Sequence, residues 1–210
     1  MHNPDWRSPA FGQDGARIES QQRVFTGFAC VDHIKLRHRL FGQTEMGMPL
    51  TRELVRRPAA AGVLIHDPAQ QKFLLIEQFR IGAVNSTISA WQLEVVAGLI
   101  DSNETAAQAA MREAFEETGI QIDDNDMTLL HQFYPSAGAC DEYFDLFVAT
   151  ADLSSAGGVH GAAEEGENIL VHLIDYTDLK ALLHSGRLNN APVIIALQWL
   201  NFQISHPLRG

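Results

Sequence analysis

The chain has 210 residues, 46% of them hydrophobic, enough for one or two domains with a substantial core. Its formal charge of −11 is uneven: residues 1–57 hold nine Lys/Arg against six Asp/Glu, and the remainder holds six against twenty. That balance argues against a broad basic face for nucleic acid, no run reaches transmembrane length, and two cysteines in unrelated contexts, Cys30 and Cys140, argue against a disulfide scaffold.

Residues 1–20 are polar and broken by Pro and Gly, without the apolar core of a signal peptide, and are expected to be flexible in a cytoplasmic protein. Residues 23–30, 31–41 and 49–57 read as strands. In the second, Ile34, Leu36, His38 and Leu40 alternate with Lys35, Arg37 and Arg39, the period of a half-buried antiparallel strand. Residues 21–57 are therefore expected to form a small antiparallel β domain. Three strands bury little alone, so this sheet should pack on another surface, such as a second subunit.

From Ala60 the texture changes to apolar runs at residues 60–65, 73–78, 93–96, 129–133, 143–149 and 169–174, with turn signals such as Asp67-Pro68 between them. Two amphipathic helical patterns follow, over residues 177–185 and 191–202. Mixed strands sandwiched by helices, an α/β/α architecture, is the expected fold of a second domain over residues 58–210. The glycines of residues 157–161 match no phosphate-cradling motif and read as loop.

Within this domain, residues 98–120 read as a loop followed by one helix crowded with carboxylates. Thr105 and Gln108 have the spacing of a capping box, and Gly119 stands where a left-handed C-cap would sit, which predicts a helix over residues 106–118. At 100° per residue, Ala107, Ala110, Met111 and Ala114 form a small-residue stripe, with Glu113 and Glu117 along its edge and Glu116 one step round. Each like-charged i,i+4 pair disfavours a helix by roughly 0.2–0.5 kcal/mol, and Arg112 offsets only part of this through Glu116. A solvated acidic face is the common explanation of such a helix. Against it stand the apolar edge and the bias of the region: residues 94–167 hold sixteen Asp/Glu and one Lys/Arg. A hard divalent cation with oxygen ligands, Mg²⁺ or Mn²⁺, is the natural counter-ion.

The same residues carry a resemblance. Gly98, Glu104 and Arg112-Glu113-Ala114-Phe115-Glu116-Glu117-Thr118-Gly119-Ile120 resemble a complete Nudix box, G-x5-E-x7-R-E-U-x-E-E-x-G-U with U a bulky aliphatic, in which Ala114 is smaller than usual. Pro135, sixteen residues past Gly119, is similar in placement to the proline-bearing loop of the ADP-ribose pyrophosphatase subfamily, although Ala137 stands where that loop often has another proline.

That resemblance implies a Nudix α/β/α sandwich and Mg²⁺-dependent hydrolysis of ADP-ribose to AMP and ribose 5-phosphate, with Mn²⁺ able to substitute. The metal would be held by Glu113, Glu116, Glu117, Glu167 and the carbonyl of Ala97. The catalytic residues would be Glu165, as general base on the loop before residue 169, and Glu116. Composition alone is as well satisfied by a solvated acidic loop at residues 164–167. Gly98, Arg112 and Gly119 would be structural, Arg112 orienting the glutamates. Arg80, which has no acidic neighbour beyond Glu77 in sequence, would bind phosphate. Phe28, Arg52, Ser136 and Glu142 would contact the rest of the substrate, in a homodimer whose N-terminal sheet crosses to the partner. Two alternatives stay open: another nucleoside diphosphate sugar or dinucleotide, such as a GDP-sugar or NADH, and a non-catalytic ADP-ribose sensor. No nucleic-acid or membrane partner is expected.

Overall fold

The computed structural model describes residues 6–162 and 166–206. The chain divides into two compact units, one comprising Met1–Arg57 with Ser136–Glu142, the other Pro58–Pro135 with Tyr143–Gly210.

In the first unit, β1 (Ala16–Thr26), β2 (Cys30–His38) and β3 (Leu50–Arg56) form an antiparallel sheet in that order. β1 starts at Ala16, so it reaches back into the segment expected to be flexible, and every one of its residues is exposed. The alternation expected in β2 is present, but it carries a carboxylate inward: Asp32 is buried together with Ile34. Arg23 and then Arg56, at 2.9 Å, hydrogen-bond Asp32 and hold its carboxyl down to about 2; Gln21 adds a third donor at 2.7 Å. Residues 136–142 lie along β3, where Val55 N–H donates to the Ala139 carbonyl at 2.8 Å and Asp141 N–H to that of Val55 at 3.2 Å.

The second unit is built on a mixed eight-stranded sheet. Its strands are β4 (Ala60–Asp67), β5 (Lys72–Phe79), β6 (Trp91–Glu94), β7 (Val96–Leu99), β8 (Met127–Phe133), β9 (Phe144–Thr150), β10 (Gly158–His160) and β11 (Ile169–Asp175). The main path runs β10-β11-β5-β4-β9-β8, with β4 and β9 parallel and the other pairs antiparallel. Helix α1 (Ala106–Thr118) covers one face over Ala61, Val63, Ile65, Leu74 and Ile76. Helices α2 (Leu179–His184) and α3 (Ala191–Ser205) cover the other over Leu64, Phe73, Leu75 and Leu146. β4 is thus buried on both faces, which is why it reads as a continuous apolar run. Each large side chain fully buried in these layers contributes about 1.5–3 kcal/mol.

Two expectations about this sheet need correcting. Residues 157–161 are not all loop, because β10 pairs with β11. Residues 93–96 are not one strand either: β4 and β5 pair only at their hairpin end, from Ile65 opposite Leu74 to Asp67 opposite Lys72, and then diverge. β6 pairs with β5 and β7 with β4, so the chain changes partner at Val95 and fills the opening. Gly62 makes this approach possible, since a Cβ there would lie 2.9 Å from the Val96 carbonyl oxygen and 3.0 Å from the Ala97 Cβ. The glutamate-bearing helix therefore faces a strand switch. Among the described residues, no helix is long and apolar enough to cross a membrane.

Candidate active site

The helix that carries the carboxylates is stopped at both ends by its own sequence. Thr105 accepts the Gln108 N–H at 3.2 Å while the Gln108 side chain accepts the Thr105 N–H at 2.8 Å, and Gly119 closes the other end at φ 72°. Its inward face is rotated from the expected stripe: Ala109, Ala110, Ala114, Glu117 and Thr118 are buried, whereas Ala107 and Met111 are only partly so. A carboxylate therefore lies in the packed face.

Arg112 organises the outer carboxylates. It donates to Glu104 through Nη2 at 2.7 Å and Nε at 3.1 Å, to Glu113 at 2.8 Å, to Glu116 at 3.1 Å and to the Leu99 carbonyl at 3.2 Å. Glu104 also accepts the Asp101 N–H at 2.9 Å, so the loop is tied to the helix. The Arg112 hydrogen bond, then that N–H, hold the Glu104 carboxyl below its usual range. Glu113 moves the other way, because burial outweighs its bond to Arg112. Gly98 makes room for Glu113: a Cβ there would fall 1.8 Å from the Glu113 Oε1.

Glu117 is 4% exposed, and among the described residues its carboxylate accepts one hydrogen bond, from the Ala97 N–H at 3.3 Å. Burial, reinforced by the Glu113 charge, pushes its pKa up to about 8. A buried carboxylate beside a second one calls for a cation, and oxygen donors at a strand switch suit a hard divalent ion. Glu167 adds to this negative field, raising the pKa of both Glu113 and Glu117. Its carboxylate accepts the Ala162 N–H at 3.3 Å. Among the described residues, no three acidic, His or Cys side chains already converge as ligands. Glu116 explains part of this, since it points to Arg112 and is 56% exposed at its side chain. Glu164 and Glu165 lie outside the described residues.

Arg80 departs from expectation. Its partner is Glu94, whose Oε2 takes both Nε and Nη2 at 2.8 Å. Glu77, the neighbour considered from sequence, is occupied by His172 at 2.8 Å and by Arg187. Sequence reading missed Glu94; the available signal was a lone acid in the apolar stretch Leu93–Val96.

Phe28, Arg52, Ser136 and Glu142 all belong to the first unit. Phe28 is exposed with the Arg57 guanidinium 5.5 Å from its ring centroid, and Arg57 pairs with Glu142 at 3.4 Å. These three side chains form one cluster, in which Arg57 was not anticipated. Arg52 is exposed and donates to the Thr51 carbonyl at 2.9 Å, while the Ser136 carbonyl accepts the Ala139 and Cys140 N–H groups at 3.2 and 3.0 Å.

The pattern of the NUDIX domain family is matched over residues 56–197, which include the Gly98 loop, the capped helix with its arginine-organised glutamates and the strands of the covered sheet. The chain belongs to that family. It is 35% identical to the ADP-ribose pyrophosphatase of Escherichia coli strain K12 over 98% of this chain and 96% of the relative. It is 35% identical to the ADP-ribose pyrophosphatase of Haemophilus influenzae over 90% and 88%, and 30% identical to the GDP-mannose pyrophosphatase of Citrobacter koseri over 71% and 77%. A solved structure described as an ADP compounds hydrolase shares the fold, with a TM-score of 0.67 at 22% identity, covering 92% of this chain and 98% of that one.

Proposed function

We propose that the chain hydrolyses the pyrophosphate bond of ADP-ribose, giving AMP and ribose 5-phosphate, in a reaction that depends on Mg²⁺. The observation that carries this reading is the likeness to ADP-ribose pyrophosphatases at 35% identity along 98% of the chain, together with a buried Glu117 that, among the described residues, lacks a cation partner in hydrogen-bonding distance. Glu113, Glu116, Glu117, Glu167 and the Ala97 carbonyl would hold the metal, and Mn²⁺ would serve in its place. Bound there, the ion would neutralise phosphate oxygens and make a water acidic.

The chain's own residues supply the rest. Arg112 fixes Glu104, Glu113 and Glu116 relative to one another, so little reorganisation is left for the reaction step. Glu165 takes the proton of the attacking water, with Glu116 the other carboxylate in a catalytic role. The P–O bond of the bridge then breaks toward the leaving phosphate. Arg80 offers its Nη1 edge to a phosphate, the opposite edge being held by Glu94. Phe28, Arg52, Ser136 and Glu142 hold the adenosine and ribose. The protein acts in the cytoplasm as a homodimer through the first unit's sheet, where exposed Ile18, Val24 and Phe25 support a covering partner.

GDP-mannose is the second reading, favoured by the 30% identity to a GDP-mannose pyrophosphatase. A panel of ADP-ribose, GDP-mannose, NADH and other nucleoside diphosphate sugars at fixed Mg²⁺ decides between them. ADP-ribose is expected to have the highest kcat/KM; a higher value for GDP-mannose overturns the substrate assignment, and binding of ADP-ribose without turnover makes the protein a sensor. Light scattering tests the dimer, which a monomeric mass for the active enzyme contradicts.

A further inference from the structure

Between β5 and β6, Ile76 lies opposite Glu94 and Gln78 opposite Gln92, which puts Gln78, Gln92 and Glu94 on the α1 face of the sheet. All three are polar and little exposed: Gln78 at 6%, Gln92 at 4% and the Glu94 side chain at 16%. Gln92 is satisfied by the Ser89 carbonyl at 2.7 Å. Gln78 is not. Its amide is near enough to favour the ionised form of Glu94, yet among the described residues Nε2 has no acceptor at hydrogen-bond distance.

Burial disfavours the Glu94 carboxylate in spite of its bond to Arg80. Arg80, however, is held next to the box: Glu94, its partner, stands just before Ala97 in the chain, and the Ala97 N–H donates to Glu117 at 3.3 Å. A guanidinium free to move would be drawn onto Glu113 and Glu117, neutralise them and exclude a metal ion. Glu94 takes Nε and Nη2 on a single oxygen, which fixes one edge of the guanidinium. Among the described residues, Nη1 has no partner.

We propose that Glu94 is a positioning residue: it tethers Arg80 away from Glu113 and Glu117, leaving those carboxylates open to a divalent cation and the Arg80 Nη1 edge open to the diphosphate oxygens of the substrate. This rests on the metal-dependent pyrophosphatase reading above. It assigns a task to a little-exposed acid outside the box, and it keeps an anion-binding arginine apart from cation-binding carboxylates.

The test is Mn²⁺ affinity of the full chain without substrate, measured by calorimetry for the wild type, Glu94→Gln, Arg80→Ala and the double variant. Glu94→Gln is expected to bind Mn²⁺ roughly tenfold more weakly, and Arg80→Ala at least as tightly as wild type. The double variant should regain the wild-type affinity, a rescue that a merely structural role for Glu94 would not produce. In turnover, Glu94→Gln should show a raised KM for the diphosphate substrate as well as a raised Mn²⁺ requirement. Wild-type Mn²⁺ affinity in Glu94→Gln, or a double variant as weak as Glu94→Gln, overturns the inference while leaving the pyrophosphatase reading intact. A Glu94→Gln chain that fails to fold, with the double variant folding no better, makes Glu94 structural and overturns it too. No Mn²⁺ uptake by the wild type refutes the metal-dependent reading and the inference with it.

Discussion

Arg112 and Glu104 are joined fork to fork, by hydrogen bonds of 2.7 and 3.1 Å across eight residues, and the remaining Arg112 donor reaches Glu113 and Glu116. One guanidinium thus connects the loop after Gly98 with three carboxylates, and bidentate geometry makes the connection directional.

Arg112→Ala leaves Glu104 and Glu113 without that partner. The expected loss of stability is about 2 kcal/mol, less than for a fully buried pair because the Arg112 side chain is 32% exposed. Arg112→Lys retains the charge without the fork, and kcat should still fall by at least about tenfold. Urea denaturation and steady-state kinetics measure the two effects; full activity in Arg112→Lys contradicts the orienting role.

Glu117 makes the stability of the metal-free protein depend on pH. Its carboxyl is raised from 4.5 to about 8 in the folded chain, so between these values the folded state holds a proton that the unfolded state has released. Stability should therefore decline as pH rises from about 5 to 8, by up to roughly 1.4 kcal/mol per pH unit, and level off above. Glu117→Gln should flatten this slope in urea melts. Mg²⁺ should restore wild-type stability at pH 8 and leave Glu117→Gln unchanged.

Gly98→Ala places a methyl group where the Glu113 carboxylate lies, with a Cβ 1.8 Å from Oε1. Either the loop or Glu113 must move. The expected result is a folded chain, by circular dichroism, with turnover reduced about a hundredfold or more, as small displacements of positioned groups have costs of that size. Near-normal turnover would show that Glu113 is free to shift without consequence.

Glu165→Gln should leave ADP-ribose binding nearly intact and lower turnover by about two orders of magnitude or more. Equilibrium binding and single-turnover kinetics separate these effects. Near-normal turnover would transfer the role of base to Glu167, Glu164 or another group.

The capped helix was legible in the sequence because its signals are local: Thr105 and Gln108 lie within a turn of each other, and Gly119 acts at its own φ. The same holds for β4, β5, β9 and β11, whose apolar runs exceed any plausible loop. What escaped depends on partners remote in sequence. The change of strand at Val95 follows from the divergence of β4 and β5, β10 exists only because β11 runs beside it, and Asp32 is tolerated inside β2 because Arg23 and Arg56 converge from two other strands. Glu94 escaped for the same reason, as fourteen residues separate it from the arginine it holds.

Calorimetric titration of the metal-free chain with Mg²⁺ addresses the carboxylate site most directly. Saturable uptake is expected in the wild type, with release of protons at pH 7 as Glu117 ionises, and both should be lost in Glu117→Gln. An absence of Mg²⁺ uptake by the folded wild-type chain, with or without ADP-ribose present, would contradict a metal-dependent pyrophosphatase.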